Sequence, residues 1–287
     1  MNLMTVLKEA VTALESCNLA TPRLDAEVLL CSLLKKERTI FYSHPGEQLT
    51  EKECEEYQQW IERRKRGEPV AYIVGMKEFW SLLFEVSRHV LIPRPETEIL
   101  VEEVLKVCAG GKVKNPRILE IGTGCGAISV SLASELKEAH IVATDISPEA
   151  IAVAMKNAHK NGVGNQISFL LGNLFQPVSG KFDIIVSNPP YISEEEYDKL
   201  SLEVQGFEPK AALLAGTDGT EVHRAIIREG IVYMESGGWL LMEMGAGQRH
   251  RIENMLKEFH LYDSIAFRAD YAGIERVSIA RRVLAGG

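Results

Sequence analysis

Several things are scarce in this chain, and each scarcity excludes something. Cysteine is sparse and scattered: Cys17, Cys31, Cys54, Cys108 and Cys125 are odd in number and contain no CxxC pair. Such a set supports neither a disulfide framework nor a zinc site, and it fits a reducing compartment. The histidines, His44, His89, His140, His159, His223, His250 and His260, show no paired ligand spacing, so no metal is expected and they read as surface or capping residues. Long apolar runs are missing. No stretch approaches the roughly 18 residues of a membrane span, and Lys8, Glu9 and Glu15 interrupt the region where a signal peptide needs an unbroken apolar core. Neither export nor membrane anchoring is expected, and a cytoplasmic location is. Positive charge is also short: 32 Lys and Arg against 40 Asp and Glu leave a net charge of −8. That sign opposes long-range attraction to a phosphate backbone, so direct nucleic-acid binding is not expected. Internal repeats and low-complexity stretches are absent too. What remains is ordinary globular composition, 46% hydrophobic and 25% charged over 287 residues, enough for two domains or one large domain with an appendage.

The hydrophobic pattern divides the chain. Leu3, Leu7, Ala10 and Leu14 lie on one helix face by their spacing of four, three and four. Thr21-Pro22 predicts an N-cap and a second helix with Leu24, Val28 and Cys31 on its apolar face. Thr50 and Glu53 form a capping box for a further helix, which Gly67 and Pro69 stop. The run Arg63-Arg64-Lys65-Arg66 reads as solvated helix surface. Residues 1–75 are thus expected to be a small all-α domain. The aromatic run from Glu78 to Val86 predicts a strand or short hairpin within a linker over 76–92. From 93 to 287 the rhythm is strand and helix in alternation, with apolar runs at Arg117–Ile121, Ile141–Thr144, Ile167–Leu171, Phe182–Ser187, Trp239–Met242, Ile265–Phe267 and Val277–Ala280. This predicts a seven-stranded, mostly parallel, doubly wound α/β sheet. Gly237-Gly238 and Gly245-Ala246-Gly247 read as turns around a strand.

Two motifs carry chemistry. The first, Glu120-Ile121-Gly122-Thr123-Gly124-Cys125-Gly126, stands where a strand ends and a helix begins, and Asp145 closes the next strand, where it can accept hydrogen bonds from ribose hydroxyls. Gly122, Gly124 and Ala127 also satisfy the dinucleotide fingerprint, so this motif alone fits a nicotinamide enzyme as well as an S-adenosylmethionine enzyme. The second is Asn188-Pro189-Pro190-Tyr191, directly after the apolar strand ending at Ser187. The prolines remove backbone donors and stiffen the loop. They leave the Asn188 side chain and nearby carbonyls as fixed acceptors, and Tyr191 as a flat platform, which suits a planar NH2 group. Cys125 reads as a small packed residue, not a nucleophile.

The combination of EIGTGCG, Asp145 and NPPY resembles the class I S-adenosylmethionine-dependent methyltransferases of planar nitrogens, a group that includes adenine-N6 and glutamine-N5 enzymes. The segments TPRLDAEVLL, RGEPVAYIVGMKEFWSLLFEV, LIPRPETEILVE, FEPKAALLAGTDG and DYAGIERV are similar to those of the peptide chain release factor glutamine-N5 methyltransferases, historically called HemK. This resemblance covers nearly the whole chain. It implies methyl transfer from S-adenosyl-L-methionine, which leaves as S-adenosyl-L-homocysteine, without a metal, to the glutamine of the Gly-Gly-Gln loop in class I release factors. It also implies that Glu120, Gly122, Thr123, Gly124, Cys125, Gly126, Asp145, Ile146, Asn173, Leu174 and Asn188 bind the cofactor, and that Asn188, Pro189, Pro190 and Tyr191 are catalytic. Arg94, Glu96 and Thr97 would line the crevice by the same resemblance, although Thr97 and Glu98 equally suit a helix start. Asn173 stands where many relatives carry Asp; its amide oxygen still accepts a hydrogen bond from an adenine amino group. Rival readings are an adenine-N6 enzyme on nucleic acid, opposed by the net charge, and a non-catalytic cofactor sensor or a nicotinamide oxidoreductase, both of which leave the NPPY loop idle.

Overall fold

The structure, a computed structural model, describes residues 1–17, 19–110 and 115–284; Asn18 of the expected helical domain, and 111–114 and 285–287 of the expected catalytic domain, lie outside the described residues. Two compact units emerge, one of Met1–Met76 with Ser201–Phe207 and the other of Lys77–Leu200 with Glu208–Gly287.

In the first unit, α1 (Leu3–Glu15) starts on Asn2, whose Oδ1 accepts the Thr5 N–H at 2.8 Å, and buries Leu3, Val6, Leu7, Ala10 and Leu14. Helix α2 (Pro22–Leu34) opens on proline, but Thr21 does not cap it; its hydroxyl donates to Asp25 Oδ1 at 2.8 Å. The buried face of α2 is Ala26, Leu29, Leu30 and Cys31, with Leu24 exposed. Apolar residues lie nearly all round α2, so packing against its neighbours, not spacing, selects the face. A single turn, α3 (Ile40–Ser43), precedes α4 (Glu51–Lys65), whose capping box is complete: Thr50 Oγ1 accepts the Glu53 N–H at 3.2 Å and Glu53 Oε2 accepts the Thr50 N–H at 2.8 Å. Helix α5 (Val70–Val74) ends on Gly75 at φ 78°.

Arg64 departs from the solvated-surface expectation. It is 4% exposed, and its guanidinium donates to Asp25 Oδ2 at 2.8 Å, to Glu203 Oε2 at 3.0 Å and to the Glu68 carbonyl at 3.0 Å. A buried cation is tolerated because its donors are matched in this way.

A hairpin of β1 (Met76–Phe79) and β2 (Leu82–Glu85) follows, turning through Trp80 and Ser81 at φ 52° and 55°. Two consecutive left-handed residues without glycine are unfavourable in isolation. Here Glu98 Oε1 accepts the Trp80 backbone N–H at 2.8 Å and Glu135 Oε1 accepts its indole N–H at 2.9 Å, which holds the turn.

The second unit then alternates α6 (Thr97–Ala109), β3 (Arg117–Ile121), α7 (Ala127–Glu135), β4 (His140–Asp145), α8 (Pro148–Lys160), β5 (Ile167–Leu171) and β6 (Phe182–Ser187). Ser147 caps α8, accepting the Ala150 N–H at 3.1 Å. Beyond β6 a short strand β7 (Ile192–Ser193) leads through a short helix, α9 (Glu194–Tyr197), and then α10 (Leu202–Phe207), which belongs to the first unit, to its partner β8 (Leu214–Gly216). The chain closes with α11 (Glu221–Tyr233), β9 (Met234–Glu243), α12 (Arg249–Glu258), β10 (Tyr262–Ala269) and β11 (Glu275–Arg282).

The sheet has seven strands in the order β10-β11-β9-β6-β3-β4-β5. Strands β3, β4, β5, β6 and β9 are parallel, and β11 runs antiparallel to both its neighbours. On one face Leu119, Ile121, Ile185 and Leu240 pack with Ile226 and Ile227 of α11 and Ile252 and Leu256 of α12. Gly237 and Gly238 lie inside β9, not in a turn before it. The register slips there, with Phe182 opposite Met234 but Ile184 opposite Trp239. A bulge needs the φ of 75° at Gly237, and a Cβ on Gly238 would sit 3.0 Å from the Glu235 carbonyl oxygen.

Candidate active site

Strands β3 and β6 are neighbours at the point where the sheet reverses its winding, and ligands of such sheets bind beyond the carboxyl ends of the strands. Ile121 stands opposite Ser187, and the Ser187 hydroxyl donates to the Ile121 carbonyl at 2.7 Å. The glycine loop and the NPPY loop therefore leave the sheet side by side.

In the glycine loop, Gly122, Gly124 and Gly126 have φ of 76°, 57° and 83°. A Cβ on Gly126 would meet Ala154 Cβ at 3.2 Å, whereas at Gly122 and Gly124 it would meet nothing within 4 Å. Gly126 thus serves helix packing, while the other two leave open space that a ligand can fill. Thr123 is buried and donates to Glu120 Oε2 at 2.7 Å; Glu120 Oε1 is buried with no partner. Burial pushes the Glu120 carboxyl up to about 7. Asp145 is half-buried at the end of β4, where Oδ2 accepts the Gly124 N–H at 2.8 Å and Oδ1 the Ser147 N–H at 2.9 Å. Next to it Ile146 is 62% exposed, an apolar side chain left uncovered. Asn173 is exposed after β5, and Leu174 adopts a φ of 48° with its side chain against the core. The Cys125 thiol is buried, which pushes it up to about 12 and leaves it no nucleophilic character at neutral pH.

In the NPPY loop, Asn188 Nδ2 donates to Thr97 Oγ1 at 3.1 Å, and Thr97 Oγ1 donates to Glu243 Oε2 at 2.7 Å. The Tyr191 hydroxyl donates to Glu243 Oε1 at 3.3 Å. Glu243 ends β9 and is 1% exposed; burial pushes its carboxyl up to about 7, against the opposing pull of the two hydroxyls and of Arg276. Burial and the Glu243 charge hold the Tyr191 hydroxyl above its ordinary range. Gln248 Nε2 donates to the Tyr191 carbonyl at 2.8 Å while its Oε1 accepts the Gly245 N–H at 2.9 Å, so the turn after β9 braces the loop.

Three further residues complete the surroundings, none of them a site candidate from sequence. Asn157, wholly buried in α8, accepts the Glu85 N–H at 2.7 Å and donates to the Glu85 carbonyl at 3.0 Å and the Cys125 carbonyl at 2.8 Å, tying β2 to the glycine loop. Glu208 is buried, accepts from the Arg94 guanidinium and takes the Ile92 N–H at 3.4 Å, which fixes the proline-rich segment before α6. His223 is not the surface or capping residue expected: it is wholly buried, with Nε2 2.7 Å from the Glu243 carbonyl, and burial lowers it to about 4. A neutral imidazole donating through Nε2 satisfies that carbonyl. The signal for Asn157 was a polar residue on the stripe Ala150, Ala154, Asn157 and Ala158, which packing otherwise keeps apolar.

Residues 5–75 match the family described as PrmC N-terminal domain and residues 95–205 the methyltransferase small domain. The release factor glutamine methyltransferase of Nitratidesulfovibrio vulgaris is 39% identical over 98% of this chain and 96% of its own. The chain belongs to the release factor glutamine methyltransferase family. The Coxiella burnetii member is 41% identical over 91% of this chain and 92% of its own. A methyltransferase from Pyrococcus furiosus shares the fold, with a TM-score of 0.53 at 19% identity, covering 79% of this chain and 98% of that one. Family membership and the mostly parallel seven-stranded methyltransferase sheet with a helical N-terminal region thus agree with the sequence expectation. The second unit has a methyltransferase fold. Among the described residues no helix is long and apolar enough to cross a membrane, and no cluster of three His, Cys, Asp or Glu could hold a metal.

Proposed function

We propose that this chain transfers a methyl group from S-adenosyl-L-methionine to the side-chain amide nitrogen, N5, of the glutamine in the Gly-Gly-Gln loop of a class I peptide chain release factor. The observation that carries this reading is the juxtaposition of a glycine loop and an NPPY loop, joined through the Ser187 and Ile121 bond, at the switch point of a family methyltransferase sheet. The residues present suit the cofactor: open space before Gly122 and Gly124, an unpartnered buried acceptor at Glu120 Oε1, and an uncovered Ile146. In this reading Asp145 accepts the ribose hydroxyls, Glu120 takes a donor of the amino-acid end, and Thr123, Cys125 and Gly126 shape the loop. Ile146 and Leu174 flank the adenine, and Asn173 accepts from its amino group.

When bound, S-adenosylmethionine supplies a sulfonium-activated methyl group that needs no metal. The protein's contribution is orientation. An amide nitrogen is a poor nucleophile because its lone pair is delocalised. Asn188 Oδ1 and the Pro189 carbonyl accept its two hydrogens, Pro189 and Pro190 hold those acceptors rigid, and Tyr191 packs on the amide plane. Holding the reactants in line contributes up to roughly 7–11 kcal/mol. The reaction proton passes to water. An adenine amino group offers the same two hydrogens, but the net charge of −8 disfavours its phosphate backbone.

Residues 1–75 serve in this reading as a docking domain, since a glutamine side chain offers few atoms and selectivity must come from a larger surface. Incubation with labelled S-adenosylmethionine and a release factor, followed by mapping of the labelled residue, tests the reaction; label anywhere but the Gly-Gly-Gln glutamine rejects it. Equal kcat/KM for intact factor and for a short Gly-Gly-Gln peptide rejects docking.

A further inference from the structure

We propose that Thr97 and Glu243 are positioning residues that set the polarity of the Asn188 side chain, holding its nitrogen inward and presenting its oxygen to the substrate amide. This rests on the reading of the NPPY loop given above and deepens it, because it explains what makes Asn188 an acceptor and not a donor.

An asparagine amide can face either way, and its two ends are nearly the same size; only its neighbours choose between them. Here the choice propagates from a carboxylate. Ionised Glu243 can only accept, so the single hydroxyl proton of Thr97 is committed to Oε2 at 2.7 Å. Thr97 Oγ1 then has only lone pairs left to offer, and the group that meets it at 3.1 Å must be the Asn188 NH2. Turning the amide over would set Asn188 Oδ1 against Thr97 Oγ1, two acceptors with no proton between them. The remaining Glu243 oxygen takes the Tyr191 hydroxyl at 3.3 Å, so both ends of the loop refer to one carboxylate. A substrate NH2 meets an oxygen at Asn188 only in this arrangement. A side-chain carboxylate, which offers only acceptors, meets repulsion.

The charge on Glu243 therefore matters, and several groups act on it. Glu96 and Thr97 face it from the start of α6, Tyr191 from the loop, Arg276 from β11 and His223, through the Glu243 carbonyl, from α11. Arg276 and the two hydroxyls favour the carboxylate; burial and Glu96 oppose it, and His223, held neutral, adds no charge. Arg276 is shared with Asp270 at 3.0 Å. Protonated Glu243 becomes a donor, which frees the Thr97 proton to face Asn188 and removes the bias.

The test compares Thr97→Val, which keeps the shape and deletes the hydroxyl, with Thr97→Ser, which keeps the hydroxyl. Thr97→Val lowers kcat for release factor methylation, measured at saturating S-adenosylmethionine, by about 10- to 100-fold, and Thr97→Ser restores most of it. A Val variant within about threefold of the parent, or a Ser variant no better than Val, overturns the proposal. The kcat of the parent falls as the pH drops through about 7, and Glu243→Gln, which can accept from Thr97 but does not titrate, loses that acid limb; an unchanged limb overturns the role of Glu243. A readout without substrate separates this inference from the proposed function. In 15N-labelled protein the Asn188 side-chain N–H signals, identified by their loss in Asn188→Ala, exchange slowly with water in the parent and fast in Thr97→Val. Unchanged exchange rejects the polarity lock, whereas a parent enzyme that leaves release factor glutamine unmethylated rejects the proposed function and leaves the exchange result to decide the lock.

Discussion

Asn157→Ala removes three hydrogen bonds from a residue with no exposed surface: the Glu85 N–H at 2.7 Å, the Glu85 carbonyl at 3.0 Å and the Cys125 carbonyl at 2.8 Å. Net contributions of about 0.5–1.5 kcal/mol per bond give about 1.5–4.5 kcal/mol, and leaving the buried Cys125 carbonyl without a partner adds about 1–3 kcal/mol. Partial overlap of the two effects, as the loop relaxes, brings the expected loss to about 3–5 kcal/mol, at the high end for a single substitution. Urea unfolding measures it as a lower midpoint with an unchanged slope, since the surface exposed on unfolding does not change. Asn157→Asp is the informative companion. It keeps the acceptor for the Glu85 N–H but turns the end facing two carbonyls into a third acceptor, so it costs at least as much as alanine despite its nearly identical shape. A loss below about 1 kcal/mol in the alanine variant, or an aspartate variant as stable as the parent, would refute the reasoning, because either result means that these carbonyls find other donors.

Asp145→Ala weakens S-adenosylmethionine binding by tenfold or more, on the order of one charge-assisted hydrogen bond, and unchanged affinity by calorimetry rejects its placement on the ribose. Asn188→Ala leaves folding and cofactor binding largely intact but cuts turnover at saturating S-adenosylmethionine by about 10²–10³, the usual cost of losing one positioned polar group; turnover within a few-fold of the parent rejects its role. His223, lowered from 6.5 to about 4 in the folded protein, makes the unfolded chain bind more protons between those values. Its contribution, about 3 kcal/mol, is therefore complete above 6.5 and lost as the pH falls toward 4. Glu120 and Glu243, both raised, act with the opposite sign over part of that window, so the measurement is the difference between parent and His223→Gln across it. Parallel stability curves for the two proteins contradict the assignment of a buried neutral imidazole.

Much of this protein was legible in its sequence because the interactions concerned are local. The capping box at Thr50 and Glu53 and the buried stripe of α1 each involve residues within a few turns of one helix, and their spacing states the outcome. The glycine loop and NPPY, each at the end of an apolar run, could be assigned to strand ends, and parallel strands bring such ends to one edge. Other features are decided only when distant segments meet. Leu24 lies outside the buried face of α2 because neighbouring helices choose among several apolar faces, and Arg64 is buried because Asp25 and Glu203 come to it from elsewhere in the chain. The left-handed pair Trp80 and Ser81 has no glycine to announce it, and is held by Glu98 and Glu135. Thr97 reads in sequence as the first residue of a helix, and Glu243 as the end of an apolar strand. They become partners of Asn188 only because the sheet sets β9 beside β6 and α6 packs on β9, which brings together groups 146 and 91 residues apart. Hydrogen-bond direction is decided pairwise at about 3 Å, so the orientation of Asn188, unlike the identity of its loop, exists only in the folded chain.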